Sequence, residues 1–525
     1  MRLSDLLAHV PGVQTVPQRD AEITAPVSEN AATVEVGGVF VARRGANVDG
    51  HDLIPQAVTR GAAAVIGERP PDEVACSVPY AQVENGRAAL GPLAAAYYGF
   101  PSRQLVVIGV TGTDGKTTTC TLIHSILKAA GLPVGLISTV NAVIGDEELP
   151  TGLHVTTPPA PDVQRYLARM VRAGLTHVVL EATSHGLAQG RVDGVDFDVA
   201  VLTNVTHEHL DFHSTWEEYR AAKARLFSMT AASYRKAGVP KAAVINADDP
   251  SAEVFRHAAT GVDRVLSYAL EVVRPADIRA EAVEYHPDAT RLTLVGPQSL
   301  DQPVETALVG AFNVANILAA AGAASVLLDE HPEKLRAALA EGIRNMPPIP
   351  GRMERINEGQ GYLAVVDFAH TPNALRRALE TARMMVPPER RVIAIFGSAG
   401  LRDREKRRMM AEIGMQLADC VVLTAEDPRT ESLAAILNEM AQGCIHAGGV
   451  EGENFWRVMD RGRALAFGCS LARQGDLVMA CGKGHEQSMC FGEMEYPWDD
   501  RAAMRAAIRG APLLTLPTAN QTDRE

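Results

Sequence analysis

Aromatic residues and cysteines are scarce in this sequence, and long apolar runs are missing. Phe, Trp and Tyr together make up 5% of the residues, which leaves little material for a surface that stacks nucleic-acid bases. The seven cysteines form no C-x-x-C pair, which argues against a disulfide framework or a zinc site and fits a reducing cytosol. No stretch approaches about 18 uninterrupted apolar residues, and MRLSDLLAHVPG lacks a long apolar core, so we expect neither a membrane span nor a signal peptide.

Basic residues are fewer than acidic ones, 50 against 63. The formal net charge is −13, which disfavours a general nucleic-acid binder, although local basic groups can still bind an anionic substrate. An apolar content of 46% is that of a globular protein, and 525 residues suggest three or four domains of about 150 residues each.

The most informative feature that is present is the stretch VVIGVTGTDGKTTT at 106–119. The β-branched residues at 106–108 predict a strand, and the Gly-Lys-Thr step at 115–117 predicts the start of a helix. In such a turn the backbone N–H groups surround phosphate oxygens, the lysine reaches the outer phosphates and the threonine hydroxyl holds Mg²⁺. Strict spacing would place glycine at 110, where Val110 stands, so the sequence predicts a variant phosphate loop.

Two boundaries divide the chain into three parts. The first part, 1–103, ends at PSRQ, and the second, 104–345, ends at the proline-rich run NMPPIPGRME. In the second part and in 346–510, buried strands such as THVVLEAT and VIAIFG alternate with helices, which predicts α/β domains with mostly parallel sheets. The polar tail at 511–525 is predicted to be disordered.

Polar residues follow two strands of the central part. Glu181 and His185 come after the strand HVVL, and the loop at 203–213, which follows the strand DVAVL, contains three histidines and two acids. Ligands bind at strand ends in open α/β sheets, and oxygen ligands with one imidazole fit Mg²⁺ better than zinc because no H-E-x-x-H helix is present. The alternatives are a solvated carboxylate at Glu181 and a polar loop whose histidines only cap and hydrogen-bond.

Two predicted helices carry polar residues that no spacing marks as functional. Lys223 lies in the helix YRAAKARLF, and its local sequence predicts only a solvated cation. Asn313 and Asn316 lie near the start of the helix GAFNVANILAA, where asparagine is usually a cap and a contact with a base edge is the alternative.

Four predicted strands of the last part end in acids, bases or glycines. The segments are VVDFAHTPNAL at 365–375, FGSAGLRDREKRR at 396–408, TAEDPRTES at 424–432 and CGKGHEQ at 481–487. A single charged loop is usually a solvated surface, but four that converge on one edge of a sheet predict a binding site.

The order of these motifs resembles the Mur ligase family. From about residue 36 to 501 the chain contains, in order, TGTDGKTTT, TTPPAPDVQ, LEATSHGLAQGRV, TNVTHEHLDFH, AAKARLF, GAFNVANILAA, PGRME, DFAHTPNAL, FGSAGLRDREKR, EDPRTE and GKGHE. The resemblance implies three domains: a UDP-sugar-binding type at 1–103, an ATP-binding domain with a P-loop ATPase-like parallel sheet at 104–345, and an amino-acid-binding, Rossmann-like α/β domain at 346–510. The motifs are most similar to those of ligases that add a diamino acid to UDP-MurNAc-L-Ala-D-Glu in peptidoglycan precursor synthesis.

The resemblance also implies roles for individual residues. The implied ATP contacts are Gly112, Thr113, Asp114, Gly115, Lys116, Thr117, Thr118, Asn313 and Asp367. The implied magnesium ligands are Thr117, Glu181, His209 and Lys223 as a carbamate, and the implied catalytic residues are Lys116, Glu181, His209 and Lys223. The implied substrate contacts are Thr156, Thr157, Ser184, Gln189, Arg191, Arg402, Glu426, Asp427, Arg429, Gly482 and Glu486.

The implied reaction makes an amide at the expense of ATP. ATP phosphorylates a substrate carboxylate, and the amine of the diamino acid then displaces phosphate from the acyl phosphate, while Mg²⁺ and Lys116 offset the charge on the phosphoryl group. The implied partners are ATP, Mg²⁺, the UDP-MurNAc-dipeptide and a diamino acid. We expect a cytoplasmic monomer that inserts in no membrane.

The sequence departs from the family pattern at several positions. Asp114 stands where the family usually has Asn, and Glu208 where it has Asp. The family's D-S-R uridine motif falls on the residues Asn-Ala-Ala at 30–32, with Ser28 nearby. The way in which the N-terminal domain holds UDP therefore stays open.

The third amino acid stays open as well. Diaminopimelate enzymes typically read D-N-P-R, whereas this chain has Glu426, Asp427, Pro428 and Arg429. Arg429 suits a second carboxylate through a bidentate pair, whereas Asp427 would repel that carboxylate and favour the bare ammonium of lysine or ornithine. Arg429 and Glu486 tip the interpretation slightly towards diaminopimelate.

Two other functions compete with this one. The first is a related amide ligase of the folylpolyglutamate or cyanophycin synthetase type, against which the EDPR and GKGHE segments speak. The second is a non-catalytic nucleotide-binding regulator, against which the joint presence of Lys116, Glu181, His209 and Lys223 speaks.

Overall fold

The computed structural model describes residues 1–45, 48–149, 157–206, 215–271, 274–297 and 300–520. They divide into two compact units. The first comprises Met1–Arg279, Gly296–Leu300 and Asn316–Gly342, and the second Ala280–Val295, Asp301–Ala315 and Ile343–Glu525. Each unit combines largely parallel sheets with helices, so the predicted α/β class is confirmed. The domain boundaries near residues 103 and 345 stay predictions.

The N-terminal part of the first unit is built on a sheet of short strands. Its elements are α1 (Leu3–Leu7), β1 (Val13–Thr15), β2 (Val27–Ser28), β3 (Val39–Ala42), α2 (Ile54–Thr59), β4 (Ala64–Gly67), β5 (Tyr80–Val83) and α3 (Gly86–Tyr97). The strand order is β1-β5-β4-β3-β2, and all neighbours except β1 and β5 are parallel. Every residue of β3 and β4 is buried, as expected for parallel strands that are covered on both faces.

The central part follows with a larger set of elements. The strands are β6 (Val106–Thr111), β7 (Val134–Ile137), β8 (Ala142–Ile144), β9 (Glu147–Leu149), β10 (His177–Glu181), β11 (Val199–Leu202), β12 (Ala242–Asn246), β13 (Arg264–Ala269), β14 (Ile278–Tyr285), β15 (Thr290–Gly296) and β16 (Leu300–Thr306). The helices are α4 (Lys116–Ala129), α5 (Ala160–Arg172), α6 (Ser184–Ala188), α7 (Trp216–Ala232), α8 (Ala252–Ala258), α9 (Ala311–Leu327) and α10 (Pro332–Arg344).

The main sheet of the first unit places β6 at its centre. The order is β13-β12-β11-β6-β10-β7-β8-β9, and β13 through β7 are parallel. The carboxyl ends of β6, β10 and β11 therefore lie side by side at one edge. These are the ends that carry the phosphate loop, Glu181 and the segment beginning at Thr203.

The C-terminal part of the second unit forms a second parallel sheet. Its elements are β17 (Glu354–Ile356), β18 (Leu363–Asp367), α11 (Pro372–Met384), β19 (Val392–Phe396), α12 (Glu405–Leu417), β20 (Cys420–Leu423), α13 (Leu433–His446), β21 (Phe455–Arg457), α14 (Arg461–Leu471), β22 (Leu477–Cys481), β23 (Ser488–Phe491), β24 (Met494–Pro497) and α15 (Asp500–Ile508). The order is β17-β18-β22-β19-β20-β21, with only β17 antiparallel, and β23 and β24 form a separate hairpin. The four predicted strand ends thus do converge at one edge.

Residues 516–520, within the tail predicted to be disordered, have defined structure, while disorder of the rest of 511–525 stays a prediction. A 3₁₀-helix spans Pro517–Asn520, and Leu516, Thr518 and Ala519 are buried. Thr518 donates a hydrogen bond to the Asp460 carboxylate at 2.9 Å, and Arg463 donates to the Ala519 carbonyl at 2.8 Å. The tail stays in place because it covers the start of α14, which local polarity does not reveal. Residues 521–525 lie outside the described residues.

Among the residues that the structure describes, every helix is too short or too polar to cross a bilayer.

Candidate active site

The turn between β6 and α4 is closed so tightly that two of its positions admit only glycine. Gly112 and Gly115 have φ angles of +151° and +79°. A Cβ atom at Gly112 would lie 1.8 Å from Thr203 Oγ1, and one at Gly115 would lie 2.2 Å from Asn316 Oδ1. Helix α4 begins at Lys116, so its first N–H groups point into this turn, where an anion is favoured.

The segment after β11 braces the same turn. Asn204 accepts a hydrogen bond from the Asp114 N–H through its side chain at 3.1 Å, and from the Thr113 N–H through its carbonyl at 2.7 Å. Thr203 Oγ1 donates to the Asp114 carbonyl at 2.6 Å. The sequence interpretation singled out this segment for its histidines and missed these bracing residues, whose signal is only that a polar Thr-Asn pair ends an apolar strand. The acids and histidines at 207–213, His209 included, lie outside the described residues.

A hydroxyl and a carboxylate predicted to hold Mg²⁺ lie together. Thr117 Oγ1 donates to Glu181 Oε2 at 3.0 Å, and the Thr139 N–H donates to the same oxygen at 3.1 Å. Glu181 is only 2% exposed, which excludes the solvated-carboxylate alternative. No cluster of three His, Cys, Asp or Glu side chains occurs among the described residues. Oxygen-only groups suit a hard cation, so Thr117 and Glu181 fit Mg²⁺.

Three further residues of the loop, Thr113, Lys116 and Thr118, differ in their contacts and burial. Lys116 Nζ donates to the Thr113 carbonyl at 2.7 Å, so its ammonium folds over the turn. Thr113 Oγ1 lies 2.9 Å from the Tyr219 hydroxyl, which ties the loop to α7. Thr118 is buried in the first turn of α4.

Lys223 is not the solvated cation that its local sequence predicts. It is 1% exposed, its Nζ donates to the Gly112 carbonyl at 2.6 Å, and the ammonium lies 4.3 Å from the centre of the Tyr219 ring. Lys223 is buried because α7 packs against β6, which places this residue at the phosphate loop. A lysine is thus placed at the loop by a helix about a hundred residues later in the chain.

The predicted substrate residues of the first unit gather behind Glu181. Thr157 Oγ1 donates to the Glu181 carbonyl at 3.1 Å, and Arg191 donates to the Thr157 carbonyl at 2.8 Å. Ser184 is the buried first residue of α6, and Gln189 follows the last residue of that helix. Burial lowers the pKa of Arg191, and the Glu29 carboxylate opposes that effect. Thr156 lies outside the described residues.

The residues at the missing uridine motif form a self-contained turn. Ser28 Oγ donates to the Asn30 carbonyl at 3.1 Å, and the Asn30 side chain accepts the Ala32 N–H at 2.9 Å. Between them, the Glu29 carboxylate pairs with Arg43 at 2.6 Å. These bonds hold the turn but give no replacement for the motif.

Both remaining residues with implied ATP contacts belong to the second unit. Asn313 is the third residue of α9 rather than its cap, and its side chain donates to the Val309 carbonyl at 2.9 Å. Asp367 ends β18, and its carboxylate accepts the N–H groups of Met353 at 2.7 Å and Ala369 at 2.8 Å. Asn316, by contrast, belongs to the first unit, where it meets the phosphate loop at Gly115.

Two histidines and an arginine surround the Phe368 ring. The rings of His370 and His485 lie 4.5 Å and 4.9 Å from it, and the Arg352 guanidinium lies 4.4 Å from its centre. Burial lowers the pKa of each histidine to about 3, and for His370 the charge of Lys406 adds to that effect. Both imidazoles are therefore neutral near pH 7.

The EDPR segment follows β20 in an unusual backbone conformation. Asp427 and Arg429 have φ angles of +35° and +55°, which is rare for residues with side chains. The strand β23 holds them there, because the Arg429 N–H donates to the Cys490 carbonyl at 3.1 Å and the Gly492 N–H donates to the Arg429 carbonyl at 2.7 Å. Residues with side chains in such backbone conformations cluster at catalytic and ligand-binding sites.

The acids of this segment differ in their surroundings. Glu426 is 5% exposed, and its Oε2 makes no hydrogen bond among the described residues. Burial raises the pKa of Glu426, against the opposing charge of Lys406. Asp427 Oδ1, by contrast, accepts from Lys483 Nζ at 2.9 Å and from the Cys490 N–H at 3.0 Å.

Two buried cations near this edge escaped the sequence interpretation. Lys483, whose side chain is fully buried, bridges Asp427 and Glu486, the latter at 2.5 Å. Arg461 pairs with Asp500 at 2.5 Å, with both side chains fully buried, and it also donates to the carbonyls of Ala425 at 3.1 Å and Cys481 at 2.9 Å. Lys483 belongs to the GKGHE motif, so the sequence could have indicated it as a site residue. Arg461 lies in no such motif, and its neighbours in the sequence give no signal of its role.

The last two implied substrate residues of this unit differ in exposure. Gly482 is buried, has a φ angle of +114°, and donates its N–H to the Asp367 carbonyl at 3.2 Å. Arg402 is exposed in the turn before α12.

Comparisons with known proteins agree with this arrangement. Three family models match the chain: "Mur ligase family, catalytic domain" at 27–98, "Mur ligase middle domain" at 110–324 and "Mur ligase, glutamate ligase domain" at 351–484. A UDP-N-acetylmuramyl-tripeptide synthetase from Roseiflexus sp. is 44% identical, and the alignment covers 97% of this chain and 99% of the relative. A UDP-N-acetylmuramoyl-L-alanyl-D-glutamate–2,6-diaminopimelate ligase from Geobacillus thermodenitrificans is 39% identical over the same shares of the two chains.

A solved structure has the same fold. The structure of a UDP-N-acetylmuramoyl-L-alanyl-D-glutamate–2,6-diaminopimelate ligase superimposes with a TM-score of 0.63 at 31% identity, covering 92% of this chain and 94% of the other. Together with the matches to the three domain models and the two relatives, this result shows that the chain belongs to the Mur ligase family.

Proposed function

We propose that this protein is an ATP-dependent ligase that joins a diamino acid to UDP-MurNAc-L-Ala-D-Glu in the synthesis of peptidoglycan precursors. The observation that carries the proposal is the phosphate loop, which Gly112, Gly115 and Lys116 shape and in which Thr117 donates to the buried carboxylate of Glu181. The near-full-length similarity to tripeptide synthetases supports the choice of substrate. Seven free thiols and the dependence on ATP support a cytoplasmic location, and we expect a monomer.

The residues of the first unit suit the activation of a carboxylate. The N–H groups at the start of α4 bind phosphate oxygens, and the Lys116 ammonium offsets charge on the phosphoryl group that is transferred. When bound, Mg²⁺ supplies further positive charge beside the phosphates, and Thr117 and Glu181 are the described groups that would hold it. His209 and a carbamate on Lys223 complete the proposed set; a carbamylated Nζ keeps one N–H, which can still donate to Gly112.

The residues of the second unit suit the recognition of the amino acid. Glu426, Arg429, Gly482 and Glu486 offer carboxylate, guanidinium and backbone groups at one sheet edge, which match the ammonium and carboxylate groups of a diamino acid. The amine must be neutral to attack the acyl phosphate, and phosphate then leaves with its electron pair.

Phosphate release is the measurement that tests the proposal. We expect release that requires ATP, Mg²⁺, the UDP-MurNAc-dipeptide and a diamino acid together, with the tripeptide product seen by mass spectrometry. Binding of ATP without turnover would support the non-catalytic regulator, and turnover with a folate substrate would support the related ligase.

Lys116→Ala is expected to abolish this turnover, because the phosphoryl group then loses its cationic partner. Lys128→Ala is the matched control, since Lys128 is exposed in the last turn of the same helix. Full activity of Lys116→Ala would refute the assignment of the loop.

A further inference from the structure

The charged groups behind the EDPR segment include one lysine whose only partners among the described residues are two carboxylates. Lys483 lies 2.9 Å from Asp427 Oδ1 and 2.5 Å from Glu486 Oε2, and its side chain is fully buried. Burial alone would lower the pKa of Lys483, but the carboxylates of Glu486 and Asp427 outweigh that effect and raise it. Lys483 is therefore held as a cation against these two carboxylates.

The pairing changes what Asp427 can do. Asp427 Oδ1 accepts hydrogen bonds from both the Lys483 ammonium and the Cys490 N–H, so the negative charge of this carboxylate is paired with a cation of the protein itself. It also repels a substrate carboxylate far less than a free carboxylate does, because the adjacent positive charge compensates it.

Arg429 stands in contrast to Asp427. Its guanidinium makes no hydrogen bond or ion pair among the described residues, while its backbone is held by Cys490 and Gly492. A guanidinium with five donors left over is the group that binds a carboxylate through two parallel bonds. Lys483 therefore offsets the charge of Asp427 and Glu486, while the charge of Arg429 has no partner of this kind in the described part of the chain.

We infer that Lys483 is the residue that sets the choice of diamino acid, because it compensates Asp427 and Glu486 and so reserves Arg429 for a distal carboxylate, as in diaminopimelate. Lysine and ornithine carry one net positive charge and no distal carboxylate, so they leave Arg429 without a partner. The inference rests on the proposed function and assigns Lys483 a positioning role that acts through Asp427 and Glu486.

The test compares kcat/KM for meso-diaminopimelate and for L-lysine in the phosphate-release assay. The unchanged protein should prefer diaminopimelate, and Lys483→Met should lower the ratio of the two kcat/KM values at least about tenfold, because two carboxylates lose their counter-charge. The loss should lie in the KM for the amino acid and leave the KM for ATP unchanged. Adding Asp427→Asn to Lys483→Met removes one of the unbalanced charges and should restore most of the ratio.

Two further variants keep the test decisive. Lys241→Met removes an equally buried lysine that pairs with Asp198 at 3.0 Å in the first unit, and it should lower stability without moving the ratio. Arg429→Met concerns a partly exposed residue, so it does not depend on tolerance of a buried change, and it should abolish the preference for diaminopimelate over lysine.

The inference is overturned if the unchanged protein prefers lysine, if Lys483→Met or Arg429→Met leaves the ratio as it was, or if Asp427→Asn fails to restore it. In each of these cases ligation of a diamino acid still stands. Absence of any diamino-acid-dependent phosphate release from the unchanged protein would instead overturn the proposed function itself.

Discussion

At the scale of single residues, the phosphate loop is defined by what surrounds its glycines. Gly112 faces Thr203, and Gly115 faces Asn316, at distances that leave no room for a Cβ atom. Both glycines also have positive φ angles, which a side chain disfavours. The sequence predicts a glycine-rich turn here, but Asn316 is about two hundred residues away in the chain and its contact with the loop could not be foreseen.

Gly115→Ala should strongly reduce ATP binding. The new Cβ would lie 2.2 Å from Asn316 Oδ1, so either the loop or α9 must shift. Gly131→Ala is the control, because Gly131 has a φ angle of +71° but nothing within 4 Å of the added atom. Titration calorimetry with an ATP analogue should show at least about a tenfold loss for Gly115→Ala only, the effect of about 1.4 kcal/mol. Equal affinity of the two variants would contradict this account of the loop.

Glu426→Gln should stabilise the protein while weakening its hold on the amino acid. Burial raises the pKa of Glu426 in the folded state, so the stability that this group contributes is complete below its unfolded pKa and is lost as pH rises through the folded value. At pH 7.5 the neutral amide avoids that loss, and Tm should rise by about 2–4 °C, the shift of about 1 kcal/mol in a domain of about 200 residues.

The control for this change is Glu389→Gln, at an exposed position of the same unit. It should alter neither Tm nor the KM for the diamino acid, whereas Glu426→Gln should raise that KM. A lower Tm for Glu426→Gln would show that its unpaired oxygen has a partner in solution.

At the scale of elements, the ends of β20 and β22 are held together by one buried ion pair. Arg461, at the start of α14, forms an ion pair with Asp500. It also donates hydrogen bonds to the carbonyls of Ala425 and Cys481, the residues before Glu426 and Gly482. Trp498 donates to the same Asp500 carboxylate at 2.8 Å. The sequence predicted these strands and helices but not this connection, since it joins three loops that are separate in the chain.

Arg461→Met should destabilise the second unit by about 3–5 kcal/mol, because the Asp500 charge stays buried without its partner. Arg461→Met combined with Asp500→Asn should recover most of the loss, since the amide oxygen can still accept from Trp498. Urea denaturation measures both. Arg457→Ala, which breaks an exposed pair with Glu451 in the same unit, should cost less than about 1 kcal/mol. If Arg461→Met costs no more than Arg457→Ala, the buried pair is not a major contributor to stability.

At the scale of the whole molecule, neutral histidines should make the protein sensitive to acid. Burial lowers the pKa values of His370 and His485 to about 3, from the ordinary value of 6.5. Between these values the unfolded chain binds more protons than the folded one, so the free energy of unfolding should fall as pH falls from about 6.5 to about 3.

His485→Gln should flatten this pH dependence. The Nδ1 atom of His485 has no hydrogen-bond partner among the described residues, so the replacement removes the titrating group without breaking a bond there. Thermal melts at pH 7, 5.5 and 4 should show a smaller loss of Tm for this variant than for the unchanged protein. His257→Gln, at an exposed position, should follow the unchanged protein, and identical slopes for all three would contradict the prediction.

Much of this molecule follows from local patterns in the chain. Alternating apolar strands and helices, the glycine-rich turn at 106–119 and the order of the motifs were enough to predict the α/β fold, the phosphate loop and the family. Each of these features is formed by residues that are close together in the chain, so it can be recognised without knowledge of the tertiary structure.

The states of the charged side chains depend on residues far away. Lys223 and Gly112 are 111 positions apart, Lys483 and Asp427 are 56 apart, and Arg461 and Asp500 are 39 apart. Whether a lysine is solvated or buried, and whether an aspartate is available to a substrate, follows from which elements pack together and which charges they bring. Local spacing carries no record of that packing, because low dielectric and counter-charge arise only once the distant partners are in contact.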